Sequence, residues 1–205
     1  RFIIMSELDG WSHIHMYDLN GNHVQQITRG EWDVISIKGI DEANQTIYYI
    51  SAESQPYNRD LYSIKFDGSG KKRLLKKDGS YEAEFSKNHQ YFVGTYSDGN
   101  TPPHFAIYNN KGKELQVLAD NQKLKEKTEE YGFTKKEFFS FTTSGTISLY
   151  GYMIKPPDFD QNKKYPVLMN VYGGPNNQYA LNEWDIFDMI WYQHLAQNGD
   201  RKSVV

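Results

Sequence analysis

A chain of 205 residues with 38% hydrophobic and 15% aromatic content can bury one large core or two smaller ones, which excludes a disordered segment. Its net charge of −3, from 23 Lys and Arg against 26 Asp and Glu, argues against nucleic-acid or membrane-surface partners. With no cysteine there is no disulfide framework, thiolate metal site or thiol nucleophile. The opening residues, Arg1-Phe2-Ile3-Ile4-Met5-Ser6-Glu7, lack both an initiator methionine and a leader pattern, so the start reads as internal. No window approaches the roughly 18 apolar residues of a membrane helix.

From residue 1 to about 120 the chain is a series of short β-rich runs broken by turns. Ser12-His13-Ile14-His15-Met16-Tyr17, then Asp18-Leu19-Asn20-Gly21-Asn22, then His23-Val24-Gln25-Gln26-Ile27-Thr28 reads as a hairpin around Asn-Gly. The phrase recurs as Arg59 to Gly68 leading to Arg73-Leu74-Leu75, and as His104 to Gly112 leading to Leu115-Gln116-Val117-Leu118. Aligned on Tyr17, Tyr62 and Tyr108, the period is about 45 residues, inside the 40–50 of a propeller blade. Gln45 to Ser51 and Gln90 to Tyr96 supply further strands toward the four of each blade. Because a blade buries its faces only on its neighbours, more blades are expected before residue 1.

Residues 121–136 are charged and sparse in apolar positions, and read as a solvated linker helix. Glu137 to Thr142 and Ile147 to Ile154 follow as paired strands around Ser144-Gly145. Val167-Leu168-Met169-Asn170-Val171-Tyr172 is a nearly continuous apolar run, expected to be buried on both faces of a mainly parallel sheet. Phe187, Ile190, Trp191, His194 and Leu195 recur at helical spacing and predict an amphipathic helix with that stripe toward the core. A strand, a glycine turn and a helix open an α/β layer.

Chemistry is expected at Val171-Tyr172-Gly173-Gly174-Pro175, since α/β sheets place ligands beyond the carboxyl ends of their strands. The paired glycines let the main chain approach a substrate closely. A tyrosine there can aim its hydroxyl at a carbonyl oxygen that turns anionic in acyl transfer. On spacing alone, a strand-ending turn with a packing tyrosine explains the same residues. His13 and His15 share a strand face, but no carboxylate completes a metal site, and an exposed polar face is the expectation; no metal or other cofactor is expected. Asp18 to Asn22 lacks the glycine and closing Glu positions of a calcium loop and reads as a turn. His194 reads as a core or boundary residue, and Lys71-Lys72-Arg73 as a solvated edge.

Tyr165-Pro166-Val167-Leu168 with Val171-Tyr172-Gly173-Gly174-Pro175 resembles the oxyanion-strand motif of the dipeptidyl peptidase IV branch of the prolyl oligopeptidase family. Gly151-Tyr152-Met153-Ile154-Lys155-Pro156-Pro157 resembles the strand before it. Asp9-Gly10-Trp11-Ser12-His13-Ile14, Thr28 to Val34 and Arg59-Asp60-Leu61-Tyr62 are similar to propeller segments of that family, in the same order. The resemblance covers about residues 1–199. It implies a mainly β chain: the C-terminal blades of a β-propeller (1–120), the linker helix (121–136) and the start of an α/β-hydrolase peptidase domain (137–199).

It further implies a serine exopeptidase that releases dipeptides after proline or alanine, with peptide as its substrate and partner, a homodimeric state, and a periplasmic or secreted location. Tyr172 matches the oxyanion-hole donor, and Gly173 and Gly174 would lie beside the substrate. No Gly-x-Ser-x-Gly occurs in the 205 residues, and in this fold the Asp and His partners follow the serine, so the chain alone is expected to be inactive. The glutamates that bind the substrate's amino terminus are expected before residue 1, not at Glu129 and Glu130. A non-catalytic propeller binding protein or glycan, and a prolyl tripeptidyl or acylaminoacyl peptidase, are the alternative readings. Residues 200–205 break the expected apolar strand. These residues fit translation of a sequencing-adapter string, and they are read as a non-native tail.

Overall fold

The computed structural model describes residues 1–171, 174, 178–185, 187–198 and 201–204, the last four by backbone alone. The chain divides into two compact units, Arg1–Tyr96 with His104–Asp120, and Ser97–Pro103 with Asn121–Val205.

The first unit is a succession of antiparallel meanders. Strands β1 (Phe2–Ser6), β2 (His13–Tyr17) and β3 (His23–Gln26) form a three-stranded sheet. Strands β4 (Val34–Asp41), β5 (Thr46–Ser51), β6 (Asp60–Lys65) and β7 (Lys72–Arg73) form a second, and β8 (Ser80–Phe85), β9 (Tyr91–Asp98), β10 (Thr101–Asn109) and β11 (Glu114–Ala119) a third. Tyr17, Tyr62 and Tyr108 fall on β2, β6 and β10, so the 45-residue period is the sheet-to-sheet repeat, as propeller blades require. Two core clusters alternate between the sheets. Strand β5 is buried on both faces: Ile47 and Tyr49 pack with Ile14, Met16 and Ile64, while Tyr48 and Ile50 pack with Tyr81, Phe92 and Tyr108. Asp33 ties the first sheet to the second, its carboxylate accepting from Ser12 N at 2.7 Å and its carbonyl from Ala52 N at 3.0 Å.

The same turn closes three hairpins. Gly21, Gly68 and Gly112 have φ of 85°, 83° and 83°, and each N–H donates three residues back, to Asp18 O, Lys65 O and Asn109 O at 2.9–3.1 Å. Only glycine takes this left-handed position without strain. A Cβ at Gly112 would stand 2.3 Å from Leu74 O, just past β7, and one at Gly68 3.2 Å from Ile27 O, just past β3. These two turns therefore seat on the end of the preceding sheet. At Gly21 a Cβ would meet nothing within 4 Å. Gly112→Ala is expected to cost about 1–3 kcal/mol from φ strain alone, with the backbone clash in addition, and more than Gly21→Ala. Urea melts of the two variants check this; equal losses would show that the seat contributes nothing.

In the second unit, β12 (Lys136–Thr142), β13 (Ser148–Ile154), β14 (Val167–Asn170) and β15 (Arg201–Val204) make a sheet in the order β12-β13-β15-β14. Only β14 and β15 pair in parallel among these strands. Helix α1 (Gln122–Glu130) buries no residue, as its charged sequence leads one to expect. Helix α2 (Asp188–Gln197) lays Tyr192 and Ala196 on Tyr152 and Ile154 of β13.

Three sequence expectations are corrected. His13 and His15 are buried, not exposed, because β2 is the middle strand of its sheet and both its faces are covered. Alternation sorts residues onto faces without saying which face is wet. The buried face of α2 is Met189, Tyr192, Gln193 and Ala196, while Phe187, Ile190 and Trp191 are 89%, 62% and 55% exposed. That helix is apolar around most of its girth, so spacing alone does not fix its rotation. Strand β14 is exposed along Val167, Leu168 and Met169, since no layer among the described residues covers it. The tail, despite its composition, lies as β15 between β13 and β14.

Candidate active site

Strand β14 ends at Asn170, so Val171-Tyr172-Gly173-Gly174-Pro175 follows directly at its carboxyl end. Tyr172 and Gly173 lie outside the described residues. Gly174 is half-buried in a bend. The described residues show how the chain is held at Asn170, before this segment, and at residues 182–184, after it.

At the near end, Asn170 Nδ2 donates to the Tyr192 hydroxyl at 3.1 Å, and that hydroxyl donates to Asp188 Oδ2 at 3.0 Å. Asp188 and Tyr192 are one helical turn apart on α2, so the strand end is tied to the helix by a two-link relay. Burial and the hydrogen bond to Asp188 push the Tyr192 phenol up to about 12, so it stays a donor at neutral pH.

At the far end, residues 182–184 are fastened to two other segments of the same unit. Gly99 N donates to Asn182 Oδ1 at 2.9 Å, and Trp184 N to Ser97 Oγ at 3.2 Å. Lys136, 4% exposed at the start of β12, donates from Nζ to Glu183 O at 3.2 Å and lies 4.6 Å from the Tyr152 ring centroid. Asn100 pairs with the Lys136 main chain through both amide atoms, at 2.8 and 3.3 Å. Burial lowers the Lys136 pKa, opposed by the charges of Asp185, Glu183 and Asp188. Lys136, Tyr152, Gln178, Glu183 and Asp185 are among the residues that line a cavity of about 450 Å³. Behind it, Gln193 acts as a strand mimic: Thr134 N donates to its Oε1 at 2.8 Å and its Nε2 donates to Thr134 O at 2.7 Å.

The arrangement fixes the end of β14 before Val171 and, further along the chain, residues 182–184. Sequence reading did not identify Asn170, Asp188, Tyr192, Asn182 or Lys136. The Asp188/Tyr192 spacing was visible as an i, i+4 pair; the partners of Asn170 and Lys136 depend on sheet order.

The other sequence candidates take structural places. His13 is held by Thr28 Oγ1 at 3.1 Å and Gly30 O at 2.9 Å, with the Trp32 ring edge-on at 4.9 Å. Asp18 accepts from the Asn20 and Asn22 N–H groups, closing the turn. His194 is exposed rather than at the core. Arg73, read as part of a solvated edge, instead pairs with buried Asp60 at 2.6 Å. Glu130 pairs with Lys127 at 2.6 Å on the open face of α1.

Residues 1–103 match the family model described as "Dipeptidyl peptidase IV (DPP IV) N-terminal region". Over 195 residues the chain is 32% identical to the dipeptidyl peptidase 4 of Trichophyton equinum, covering 93% of this chain and 25% of that protein. Over 193 residues it is 29% identical to the probable dipeptidyl peptidase 4 of Aspergillus flavus, with the same coverage. The crystal structure of Porphyromonas gingivalis dipeptidyl peptidase 4 superposes on the whole chain with a TM-score of 0.91 at 38% identity, using 28% of that chain. The chain thus spans about a quarter of the length of the relatives it matches.

Proposed function

The chain belongs to the dipeptidyl peptidase IV family, and on that premise we propose that the whole protein is a serine exopeptidase releasing Xaa-Pro or Xaa-Ala dipeptides from peptide amino termini. In this reading a serine oxygen outside the 205 residues attacks the scissile carbonyl carbon, and the carbonyl oxygen takes up negative charge. The Tyr172 hydroxyl donates to that oxygen, while the main chain at Gly173 and Gly174 lies along the substrate. Collapse of the intermediate expels the shortened peptide as an amine and leaves a dipeptidyl ester, which water then hydrolyses.

The observation that carries the reading is the place of Tyr172 in the sequence, two residues past the end of β14, since α/β sheets hold their ligands beyond the carboxyl ends of their strands. The anchoring of Asn170 supports it, because an oxyanion donor is most effective on a strand end that is fixed before the charge forms.

The test is cleavage by the full-length protein of peptides bearing Xaa-Pro and Xaa-Ala at a free amino terminus, followed by mass spectrometry. Dipeptide release that N-acetylation of the substrate abolishes is the expected result. Release of tripeptides or of acylated residues would reassign the specificity, and no cleavage together with tight protein or glycan binding would favour a non-catalytic propeller.

A further inference from the structure

The hairpin β2–β3 brings together two imidazoles that sequence spacing does not pair. Tyr17 faces His23 and His15 faces Gln26, with a register shift between Met16 and Tyr17 that leaves His23 diagonal to His15. His15 Nδ1 and His23 Nε2 stand 3.1 Å apart, with ring centroids at 5.3 Å and planes at 53°. His15 is 1% exposed, and its Nε2 meets no hydrogen-bond partner. His23 is exposed and opens the pair to solvent.

Two imidazole nitrogens on one ion, each at about 2.0–2.1 Å, lie roughly 2.8–3.4 Å apart when the angle at the metal is between those of an octahedral and a tetrahedral site. The observed separation falls in that interval. An ion would sit to one side of the line joining the two nitrogens, so a modest ring rotation suffices. The Tyr17 ring packs on His23 at 5.1 Å and Phe2 stacks on Tyr17 at 5.6 Å, which fixes one wall. Asp9, whose carboxylate accepts from Gln26 Nε2 at 2.6 Å, is close enough for its charge to act on His15. His13 does not join, since both of its nitrogens are occupied by Thr28 and Gly30.

We propose that His15 Nδ1 and His23 Nε2 form a two-histidine site for a divalent transition ion, Zn²⁺, Ni²⁺ or Cu²⁺, with water in the remaining positions. Among the described residues no group of three or more His, Cys, Asp or Glu is placed to hold a metal, so the site is open and exchangeable rather than a closed structural centre. Both rings bind as neutral ligands. The proton now shared between them moves to the ring nitrogen facing away from the ion, so the neutral pair releases no proton and an imidazolium releases one. Nitrogen donors favour these ions over Mg²⁺ and Ca²⁺, which take oxygen. The ion would clip β2 to β3 across the bulge.

The experiment is calorimetric titration of the tag-free full-length protein with ZnCl₂, NiCl₂ and MgCl₂ in a non-coordinating buffer, the site being the one that His23→Gln removes. One Zn²⁺ or Ni²⁺ per chain and no Mg²⁺ is expected. His23→Gln should weaken binding by at least about tenfold, the loss that removing even an outer-shell partner brings. His23 is on an exposed hairpin position, so this variant keeps the fold, which far-UV circular dichroism checks. His104→Gln, which removes the imidazole bonded to Glu114 at 3.1 Å, should leave binding unchanged. Broadening by Ni²⁺ of the His15 and His23 ring signals, and not of His89 or His194, would identify the ligands directly. Absence of binding, binding indifferent to His23→Gln, or loss with His104→Gln instead would overturn the proposal.

Discussion

In the full-length protein, Tyr172→Phe is expected to lower kcat by roughly 100- to 1,000-fold, the usual effect of removing one oxyanion donor. Phenylalanine keeps the ring and loses only the O–H. KM should change little, because the hydrogen bond strengthens as the carbonyl oxygen becomes anionic and contributes less to the bound ground state. A decrease below threefold would remove Tyr172 from the mechanism. A large KM increase with kcat preserved would make it a substrate-packing residue, the alternative that its spacing alone permits. The variant Tyr192→Phe gives a useful contrast. It cuts the relay from Asn170 to Asp188 without touching substrate, so it should act only through the position of the strand end.

Arg73→Ala should destabilise the first unit by about 3–5 kcal/mol at neutral pH, as expected when one partner of a buried ion pair is deleted. The Asp60 side chain is 0% exposed, and Arg73 Nη2 reaches it at 2.6 Å while also holding Asp78 at 2.9 Å. Ser54 donates its hydroxyl to the same carboxylate. Burial pushes the Asp60 pKa up, and Ser54 and Arg73 hold that rise in check.

The sign of the pH dependence follows. A carboxyl whose folded pKa is raised keeps its proton more tightly when folded, so its contribution is fully present below the unfolded pKa and is lost as pH rises through the folded one. Without Arg73 the folded pKa rises further and the window widens. The variant should therefore recover part of its loss as pH falls from 7 toward about 5, where the wild type changes less. Urea melts at the two pH values measure this, and Asp60→Asn added to Arg73→Ala should restore part of the stability at pH 7. A loss under about 1 kcal/mol, or one identical at both pH values, would mean that the carboxylate finds adequate partners without the guanidinium.

The repeat was legible in the sequence because each hairpin carries the same chemistry, a strand bearing a tyrosine and a turn with glycine in fourth place. The strands between were unevenly visible. β8 alternates Tyr81, Ala83 and Phe85 with polar residues, a clear period of two. β4 hides its period behind two register shifts, at Val34/Ser36 and Ile37/Gly39. Burial was harder to read than pairing. His13 and His15 look polar and are covered, whereas Val167, Leu168 and Met169 look like core and are open, since burial depends on which layers lie over a strand. Near the candidate site, the motif itself could be read, but its supports could not. Asn170 meets Tyr192, and Lys136 meets Glu183, only through a sheet order that strand patterns leave undetermined.

The glycine turns that rest on the end of the preceding sheet give the blades a direction of assembly. At these seats the third sheet's hairpin uses the second sheet's finished edge as its support, and the second uses the first's in the same way. Damage to a turn is therefore felt upstream as well as within its own repeat. A repeat spliced in from elsewhere would need a bare backbone at that corner to register against its predecessor.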